Sequence, residues 1–237
     1  MAIALVTGGS RGIGFAVAEA LLARGDSVVV TATTDDGALR AEKALALAVD
    51  DATRVMGAAC DVRDRAAVLR TVETAVQRFG GLDVLVNNAG VGVGVPVAAL
   101  SEEEWHRLID TNLTGVFHCC QAAIPALKAR GGGWIINVSS LAGKHPFAGG
   151  AAYCATKAGL DAFSEALMQE LRYDGIRVSY VCPGSVATGF SGREPEAGGD
   201  WKLQPDDVAE VIVDLLSHPS RSLPSRVEIR PSKPPRK

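Results

Sequence analysis

The sequence predicts an α/β protein built as a single doubly wound domain around a seven-stranded parallel sheet. Seven short runs rich in β-branched residues alternate with longer segments of helical period. The strand runs are almost continuously apolar, as expected for strands that are buried on both faces. Glycine stands where three helices should stop before the next strand, at Gly25, Gly80 and Gly175. We therefore predict one domain over residues 1–230, followed by a short basic, proline-rich tail at 231–237.

The individual elements can be read in chain order. The predicted strands are AIALVT, SVVVTAT, RVMGAA, LDVLVN, WIINVSS, IRVSYV and RVEIRP. Between the fourth and fifth strands, Ser101 and Glu104 have capping-box spacing and start a long helical stretch containing WHRLIDTNLTGVFHCCQAAI. Pro125 is expected to kink or end this helix, because it has no backbone N–H to donate.

Composition and charge argue against several functional classes. The formal net charge of −3 creates no overall basic field that would attract nucleic acid or an anionic membrane. The opening MAIALVTGG has no basic stretch, and its apolar run breaks at glycines before the length of a signal peptide or a membrane span. Five cysteines without a C-x-x-C pair, and four scattered histidines, suggest neither a disulfide framework nor a metal site. We expect a cytoplasmic protein with reduced thiols, no metal, and neither a nucleic-acid nor a membrane partner.

The segment TGGSRGIG, residues 7–14, follows the first predicted strand and opens a helix. Glycines there let the backbone turn sharply and approach a pyrophosphate, which would lie at the positive end of the helix. Tight turns also use glycine for purely conformational reasons, but the position between a strand and a helix is typical of a dinucleotide-binding turn. The predicted cofactor contacts in this turn are Gly8, Ser10, Arg11, Gly12, Ile13 and Gly14.

The end of the second strand indicates which nicotinamide cofactor is bound. NAD-binding proteins usually place a carboxylate there against the ribose 2′-hydroxyl. This sequence has Ala32 instead, and Arg11 can offer a planar donor fork to a 2′-phosphate. NADP(H) is therefore the predicted cofactor. The alternatives for Asp35 and Asp36 are a contact with the ribose and a capped, solvated start of the next helix.

YCATK places Tyr153 and Lys157 four residues apart. On a helix, this spacing puts both side chains on one face, where an ammonium would favour ionisation of the phenol. An unperturbed phenol has a pKa of about 10, too high for efficient proton exchange near neutrality without such help. The spacing also arises by chance, so the neighbouring motifs decide how the pair is interpreted.

Five motifs occur in one order along the chain: TGGSRGIG, NNAG at residues 87–90, Asn112, Ser140 and YCATK. Together with CDV at 60–62 and PGSVATGF at 183–190, they closely resemble the short-chain dehydrogenase/reductase family over nearly the whole sequence. The resemblance implies a Rossmann-type fold, a homodimer or homotetramer built on two long helices, and a small carbonyl or alcohol substrate. It also implies cofactor contacts by Asp61, Val62, Asn87, Gly90, Tyr153, Lys157, Pro183, Gly184 and Thr188.

The same resemblance implies a role for each catalytic residue. Tyr153 would be the general acid in carbonyl reduction and the base in the reverse reaction, and Ser140 would orient the substrate oxygen. Lys157 would lower the pKa of Tyr153 and hold the nicotinamide ribose, while Asn112 would anchor a water that links the lysine to solvent. Without the family pattern, Asn112 would be interpreted as a polar residue that satisfies a kinked helix.

Three segments are candidates for the substrate pocket: VGVGVPV, LAGKHPFAGG and SGREPEAGGDWKL. The last is shorter than the substrate cover that the family resemblance implies, which predicts an open pocket and relaxed substrate choice. Lys144 and His145 either meet an anionic substrate group or are simply exposed. We expect NADPH-dependent reduction of a ketone or oxo-acid carbonyl to an alcohol, reversible as an alcohol dehydrogenase. The alternatives are a 3-oxoacyl reductase acting on an acyl-carrier-protein or CoA thioester and, in another class, a non-catalytic NADP(H) sensor.

Overall fold

The computed structural model describes residues 1–190 and 200–235, and its centre is one parallel sheet. The sheet has seven strands in the order β3-β2-β1-β4-β5-β6-β7, and every neighbouring pair is parallel. The strands are β1 (Ile3–Val6), β2 (Ser27–Ala32), β3 (Val55–Ala59), β4 (Val84–Asn87), β5 (Gly133–Val138), β6 (Ile176–Pro183) and β7 (Arg226–Ile229). All seven predicted strands are confirmed, and the sequential order reverses between β1 and β4.

Helices cover both faces of this sheet and complete the doubly wound arrangement. They are α1 (Gly12–Ala23), α2 (Asp35–Ala46), α3 (Arg65–Phe79), α4 (Glu102–Ile109), α5 (Gly115–Ala129), α6 (Ala151–Leu171) and α7 (Pro205–Ser217). Successive strand residues point to opposite faces, so Val6 packs in the core under α1, α2 and α7. Leu5 packs in the second core, under α3, α5 and α6. The predicted α/β fold class is confirmed.

The predicted helix signals are also present, with one correction. Ser101 and Glu104 form both hydrogen bonds of a capping box at the start of α4. Gly25, Gly80 and Gly175 follow their helices with positive φ angles of 97°, 86° and 72°. Pro125 does not end the long helix, because α5 continues past it to Ala129, and the alternative of a kink at Pro125 stays a prediction.

The long helical stretch instead changes geometry at a π-helical segment, Asp110–Thr114, which joins α4 to α5. Such segments bulge the helix by one residue and often lie at functional sites. Here the segment contains Asn112, whose buried side chain leaves the helix and reaches the loop after β4. The change of helix geometry therefore occurs at the residue whose side chain contacts the loop after β4.

Candidate active site

A cleft of about 1400 Å³ opens at the carboxyl ends of the strands, where the strand order reverses. Ligands of open parallel sheets characteristically bind at this switch point. The predicted site residues that line the cleft are Gly8, Ser10, Arg11, Gly12, Ile13, Ala32, Asp61, Val62, Gly90, Ser140, Tyr153, Lys157, Pro183, Gly184 and Thr188. Segments far apart in the sequence therefore meet at one surface.

The glycine turn between β1 and α1 forms the floor of the cleft. Gly8 and Gly12 have φ angles of 63° and 56°, a backbone region that residues with a Cβ rarely adopt. A Cβ on Gly8 would also stand 2.9 Å from the Ala89 Cα atom, so this position is closed to side chains. The turn presents the N-terminus of α1 to the cleft, and that end of a helix attracts an anion.

Gly14 has a packing role that the sequence analysis did not predict. It is buried and does not belong to the cleft lining. A Cβ there would stand 2.3 Å from the Asn88 side-chain nitrogen and 2.6 Å from the Gly8 carbonyl oxygen. Gly14 therefore allows α1 to pack closely on the loop after β4, and its contact with the cofactor stays a prediction.

The two asparagines of the NNAG segment, Asn87 and Asn88, have different structural roles that the sequence did not distinguish. The Asn87 side chain is buried at the end of β4, and its Nδ2 donates to the Asn137 Oδ1 over 2.8 Å. The side chain therefore points into the sheet rather than into the cleft, and the contact of Asn87 beside the ribose stays a prediction. The Asn88 Nδ2 donates to the carbonyl oxygens of Thr7 and Gly8 at 3.0 and 3.1 Å, and so holds the glycine turn in place.

The adenosine end of the cleft contains a carboxylate with an arginine partner. Asp61 and Arg63 form an ion pair with an Nη2–Oδ2 distance of 2.6 Å. The hydrogen bonds from Arg63 lower the pKa of Asp61 below its ordinary value. Asp61 is consequently ionised at neutral pH and can accept a hydrogen bond from an adenine amino group, as the resemblance implied.

A second recess of about 480 Å³ adjoins the cleft between the glycine turn and α2, and Arg11 and Ala32 line both. Its other lining residues include Thr33, Thr34 and Arg40. Arg40 was missed by the sequence analysis, because only the packing of α2 brings it into the same recess as Arg11. Two guanidinium groups beside hydroxyl groups suit a phosphate.

Asp35 and Asp36 belong to the first turn of α2 and line neither cavity. Thr34 caps this helix by accepting a hydrogen bond from the Gly37 N–H. Asp36 forms an ion pair with Arg40, one turn later in the helix, and both side chains are exposed. The interpretation of the two aspartates as a capped, solvated helix start is therefore confirmed.

Ser140, at the end of β5, lies in the cleft with Tyr153 and Lys157 of α6. Burial raises the pKa of Tyr153 above its ordinary value of 10.0, and a hydrogen bond with Ser140 acts in the opposite direction. The Lys157 Nζ atom lies 5.8 Å from the centre of the Tyr153 ring and donates to the Val138 carbonyl oxygen over 2.9 Å. In the chain alone the net effect on the Tyr153 pKa is upward, and the expectation that Lys157 lowers this pKa stays a prediction.

Lys157 is itself strongly perturbed. Burial lowers its pKa from 10.5 to about 8, and the nearby Asp161 carboxylate opposes that effect. The ammonium and its neutral amine are therefore both accessible near physiological pH. Such a lysine can exchange protons near neutral pH, where a general acid or base is most effective.

Asn112 connects the π-helical segment to the cleft wall. Its Oδ1 accepts from the Val91 N–H, while its Nδ2 donates to the Val91 carbonyl oxygen, both over 2.8 Å. Nδ2 also donates to the Thr156 Oγ1 over 3.1 Å. Asn112 lies outside the cleft lining. Its two hydrogen bonds to Val91 fasten the loop after β4 to the π-helical segment. Its predicted role as the anchor of a water stays a prediction.

The substrate side of the cleft has largely apolar walls. Val91, Val93, Val95 and Phe147 line it, and the Phe190 ring meets Tyr153 edge to face with centroids 5.9 Å apart. Most of the predicted lid, residues 191–199, lies outside the described residues.

Lys144 and His145 do not belong to this lining. The His145 Nε2 atom lies 3.1 Å from the Arg230 Nη2 atom, beyond β7. The loop after β5 turns these side chains toward the edge of the sheet. Of the two alternatives for Lys144 and His145, simple exposure is the one that agrees with the structure. Arg107, which was not predicted, does line the cleft.

The C-terminal ends of β6 and β7 close the cleft near the glycine turn. Pro183 is the last residue of β6, Gly184 and Thr188 follow it, and all three line the cleft. A Cβ on Gly12 would stand 3.3 Å from the Thr188 Cγ2 atom, so this threonine faces the phosphate-binding end of α1. That location agrees with the contact near the phosphates that the resemblance implied.

Residues 1–190 and 200–235 offer neither a metal centre nor a helix that could span a membrane. No group of three histidine, cysteine, aspartate or glutamate side chains there is arranged to hold a metal ion. In the same residues, no helix combines the length and apolar character needed to cross a membrane. All five cysteines are free and buried.

Comparison with known proteins points in one direction. A family model described as short chain dehydrogenase matches residues 2–197. The 3-oxoacyl-[acyl-carrier-protein] reductase of Salmonella typhimurium is 40% identical over 186 residues, 78% of this chain and 74% of the relative. An NADP-dependent 3-hydroxy acid dehydrogenase of Salmonella typhi is 34% identical over 240 residues, 97% of this chain and 94% of the relative. The alcohol dehydrogenase of the archaeon Thermococcus sibiricus, solved with 5-hydroxy-NADP, superimposes with a TM-score of 0.90 at 30% identity and covers 100% of both chains.

Proposed function

Because the chain belongs to the short-chain dehydrogenase/reductase family, we propose that it reduces a ketone or oxo-acid carbonyl to an alcohol with NADPH, reversibly. The observation that carries this proposal is the convergence of Ser140, Tyr153 and Lys157 on one cleft beside a glycine turn that suits a pyrophosphate. A module that only binds a nucleotide has no need of two hydroxyl groups and a perturbed lysine at this place.

The residues of the chain supply proton transfer and orientation. When bound, NADPH supplies the hydride. Tyr153 and Ser140 present two hydroxyl donors to the carbonyl oxygen, on which negative charge builds as the carbonyl is reduced. Burial raises the pKa of Tyr153, so the phenol stays protonated at neutral pH and can act as the acid. Lys157, one helical turn further along α6, can hold the ribose hydroxyls and return a proton to the phenol.

Preference for NADPH over NADH is supported by the recess beside α2. Arg11 and Arg40 both line this recess, and Ala32 places no carboxylate at the end of β2. A 2′-phosphate would accept charge-assisted hydrogen bonds from Arg11, and from Arg40 once Arg40 leaves its exposed ion pair with Asp36. The 5-hydroxy-NADP bound to the archaeal alcohol dehydrogenase is consistent with this assignment.

The walls of the cleft indicate the class of substrate. Val91, Val93, Val95 and the phenyl ring of Phe147 would contact apolar groups on either side of a carbonyl. Arg107 also lines the cleft, so the carboxylate of an oxo-acid has a cation available there. We therefore propose small and medium ketones and oxo-acids with apolar substituents.

The test is consumption of NADPH by the purified protein with a panel of such carbonyl compounds, repeated with Tyr153→Phe. The variant should bind NADPH as tightly as wild type, because the change removes one hydroxyl, yet turn over at least about a hundredfold more slowly. Binding is followed by quenching or enhancement of NADPH fluorescence. Equal turnover by the variant would disprove the role of the phenol, and binding without turnover of any compound would leave the NADP(H) sensor as the function.

A 3-oxoacyl reductase is the second candidate, and the 40% identity to the Salmonella typhimurium reductase favours it. The two functions differ in the carrier attached to the substrate. A dedicated 3-oxoacyl reductase should prefer an acetoacetyl thioester on acyl carrier protein over the free oxo-acid and its simple esters. Similar kcat/KM values for the thioester and the esters would support general carbonyl reduction.

The cytoplasmic location, the assembly of two or four copies, and the division into a domain of residues 1–230 and a tail of 231–237 stay predictions.

A further inference from the structure

A carboxylate that the catalytic proposal does not use lies directly behind the catalytic face. Asp161 follows Lys157 by one helical turn on α6 and is partly exposed. It accepts a short hydrogen bond from the buried Ser139 hydroxyl group, and Ser139 immediately precedes Ser140. The Ser139 Oγ atom also lies 3.5 Å from the Lys157 carbonyl oxygen. Asp161 thus joins the end of β5 to the helix that holds the phenol and the lysine.

The other end of the same segment rests against Asp161 as well. Gly143 ends the short 3-10 turn that follows Ser140. A Cβ on Gly143 would stand 2.8 Å from the Asp161 Oδ2 atom and 3.0 Å from the Lys157 carbonyl carbon and oxygen. The segment of residues 139–143, which contains the Ser140 hydroxyl, is consequently held against α6 on both sides of that hydroxyl.

The charged and titratable groups that face Asp161 come from three elements, α6, β6 and β7. Lys157 and Glu165 lie one turn away on either side in α6, Arg226 approaches from β7, and the Cys182 thiol and the Tyr180 phenol lie on β6. Glu165 is engaged elsewhere, because it accepts a hydrogen bond from the Tyr180 hydroxyl over 2.8 Å. Asp161 lies one turn from Lys157 on the same helix, and its negative charge favours the ammonium form of Lys157. That ammonium is buried, and its Nζ donates to a neutral carbonyl.

We propose that Asp161 is a positioning residue for the reaction, which ties the Ser139–Ser140 segment to α6 and holds the buried Lys157 in its charged form. The proposal rests on the proposed carbonyl reduction for its kinetic consequence, but its electrostatic part concerns the folded chain alone. Two effects follow, one on geometry through the hydrogen bond and one on protonation through the charge. Separate variants can remove each.

The charge is tested first, by a measurement that needs no substrate. The chain contains seven lysines, and labelling them with ¹³C at Cε allows the titration of Lys157 to be followed by NMR. The signal is assigned by its absence in Lys157→Met. In Asp161→Asn, which keeps the shape of the side chain, Lys157 should titrate at lower pH than in wild type by about half a pH unit or more. Asp161→Glu should restore most of the difference.

The matched control is Glu165→Gln, which removes a carboxylate from the same helix two turns beyond Lys157. It should move the Lys157 titration clearly less than Asp161→Asn does. An unchanged Lys157 titration in Asp161→Asn, or an equal change in Glu165→Gln, would overturn the proposal. This result is independent of whether any carbonyl compound is reduced, so failure of the proposed function and failure of this inference are distinguished.

The hydrogen bond is tested by kinetics on the best substrate of the panel. Ser139→Ala keeps the carboxylate but removes its tie to β5, so kcat should fall about tenfold while the pH profile keeps its shape. Asp161→Asn should instead move the alkaline limb of the kcat profile to lower pH, because Lys157 loses its proton earlier. A merely structural aspartate would lower kcat equally at every pH, and that outcome would overturn the positioning role.

Discussion

Removing the buried charge of Lys157 should change how the stability of the protein depends on pH. Burial lowers the pKa of this lysine from its ordinary value of 10.5 to about 8 in the folded chain. Between these two values the unfolded chain binds a proton that the folded chain does not, so the free energy of unfolding rises with pH. At about 1.4 kcal/mol for each pH unit, the full effect is about 3 kcal/mol. Below about pH 8, Lys157 is charged in both the folded and the unfolded chain. Folding then includes the full free-energy cost of burying that charge.

The perturbation is Lys157→Met, which keeps a long side chain without a charge. Its free energy of unfolding, from urea titration of the cofactor-free protein, is subtracted from that of wild type at several pH values. Between pH 7 and 10 this difference should change by about 2.5 kcal/mol in favour of wild type. Other titrating groups cancel in the subtraction as far as they behave alike in the two proteins. The lost hydrogen bond to Val138 adds a pH-independent offset.

The control is Lys128→Met, because Lys128 lies at the surface in an ion pair with Asp174. Loss of a surface pair costs at most about 1 kcal/mol, so that variant should follow wild type closely across the pH range. A difference between wild type and Lys157→Met that stays flat from pH 7 to 10 would refute the reasoning. It would mean that the lysine titrates at the same pH in the folded and the unfolded chain.

Three further predictions concern the cofactor, the fold and the substrate. Arg11→Ala and Arg40→Ala should each lower kcat/KM with NADPH about ten- to a hundredfold and leave the value with NADH nearly unchanged; a wild type that prefers NADH would contradict this. Gly14→Ala should destabilise the protein by about 2 kcal/mol or more in urea unfolding, because the new Cβ would stand 2.3 Å from a side-chain amide nitrogen. Ala18→Gly in the same helix is the comparison. A loss of unfolding free energy in Gly14→Ala no larger than the loss in Ala18→Gly would count against the close packing. Each oxo-acid should outcompete its methyl ester, and Arg107→Ala should abolish that advantage whereas Lys144→Ala should not; equal kcat/KM values within the pairs in wild type would exclude an anionic contact.

Local sequence patterns were sufficient to predict the elements and much of the site. The strands could be recognised because burial on both faces demands nearly continuous apolar residues, as in β2, where every residue is buried. The glycine turn could be placed because Gly8 and Gly12 lie between a strand and a helix and take positive φ angles. Ser140, Tyr153 and Lys157 were found through an ordered set of motifs, and all three line the cleft. Each of these inferences depends on neighbours in the chain.

Only the tertiary structure decided which way the side chains face and what surrounds them. Asn87 follows the strand pattern, yet the choice between cleft and sheet interior depends on Asn137, fifty positions away. Arg40 and Asp161 carry no motif, and each gains its place because a helix packs beside the end of a strand. The sequence determined that Tyr153 and Lys157 share a helix, but not the sign of the change in the phenol's pKa. That sign depends on a balance between desolvation and nearby charge, and both terms are set by the burial that the complete fold produces.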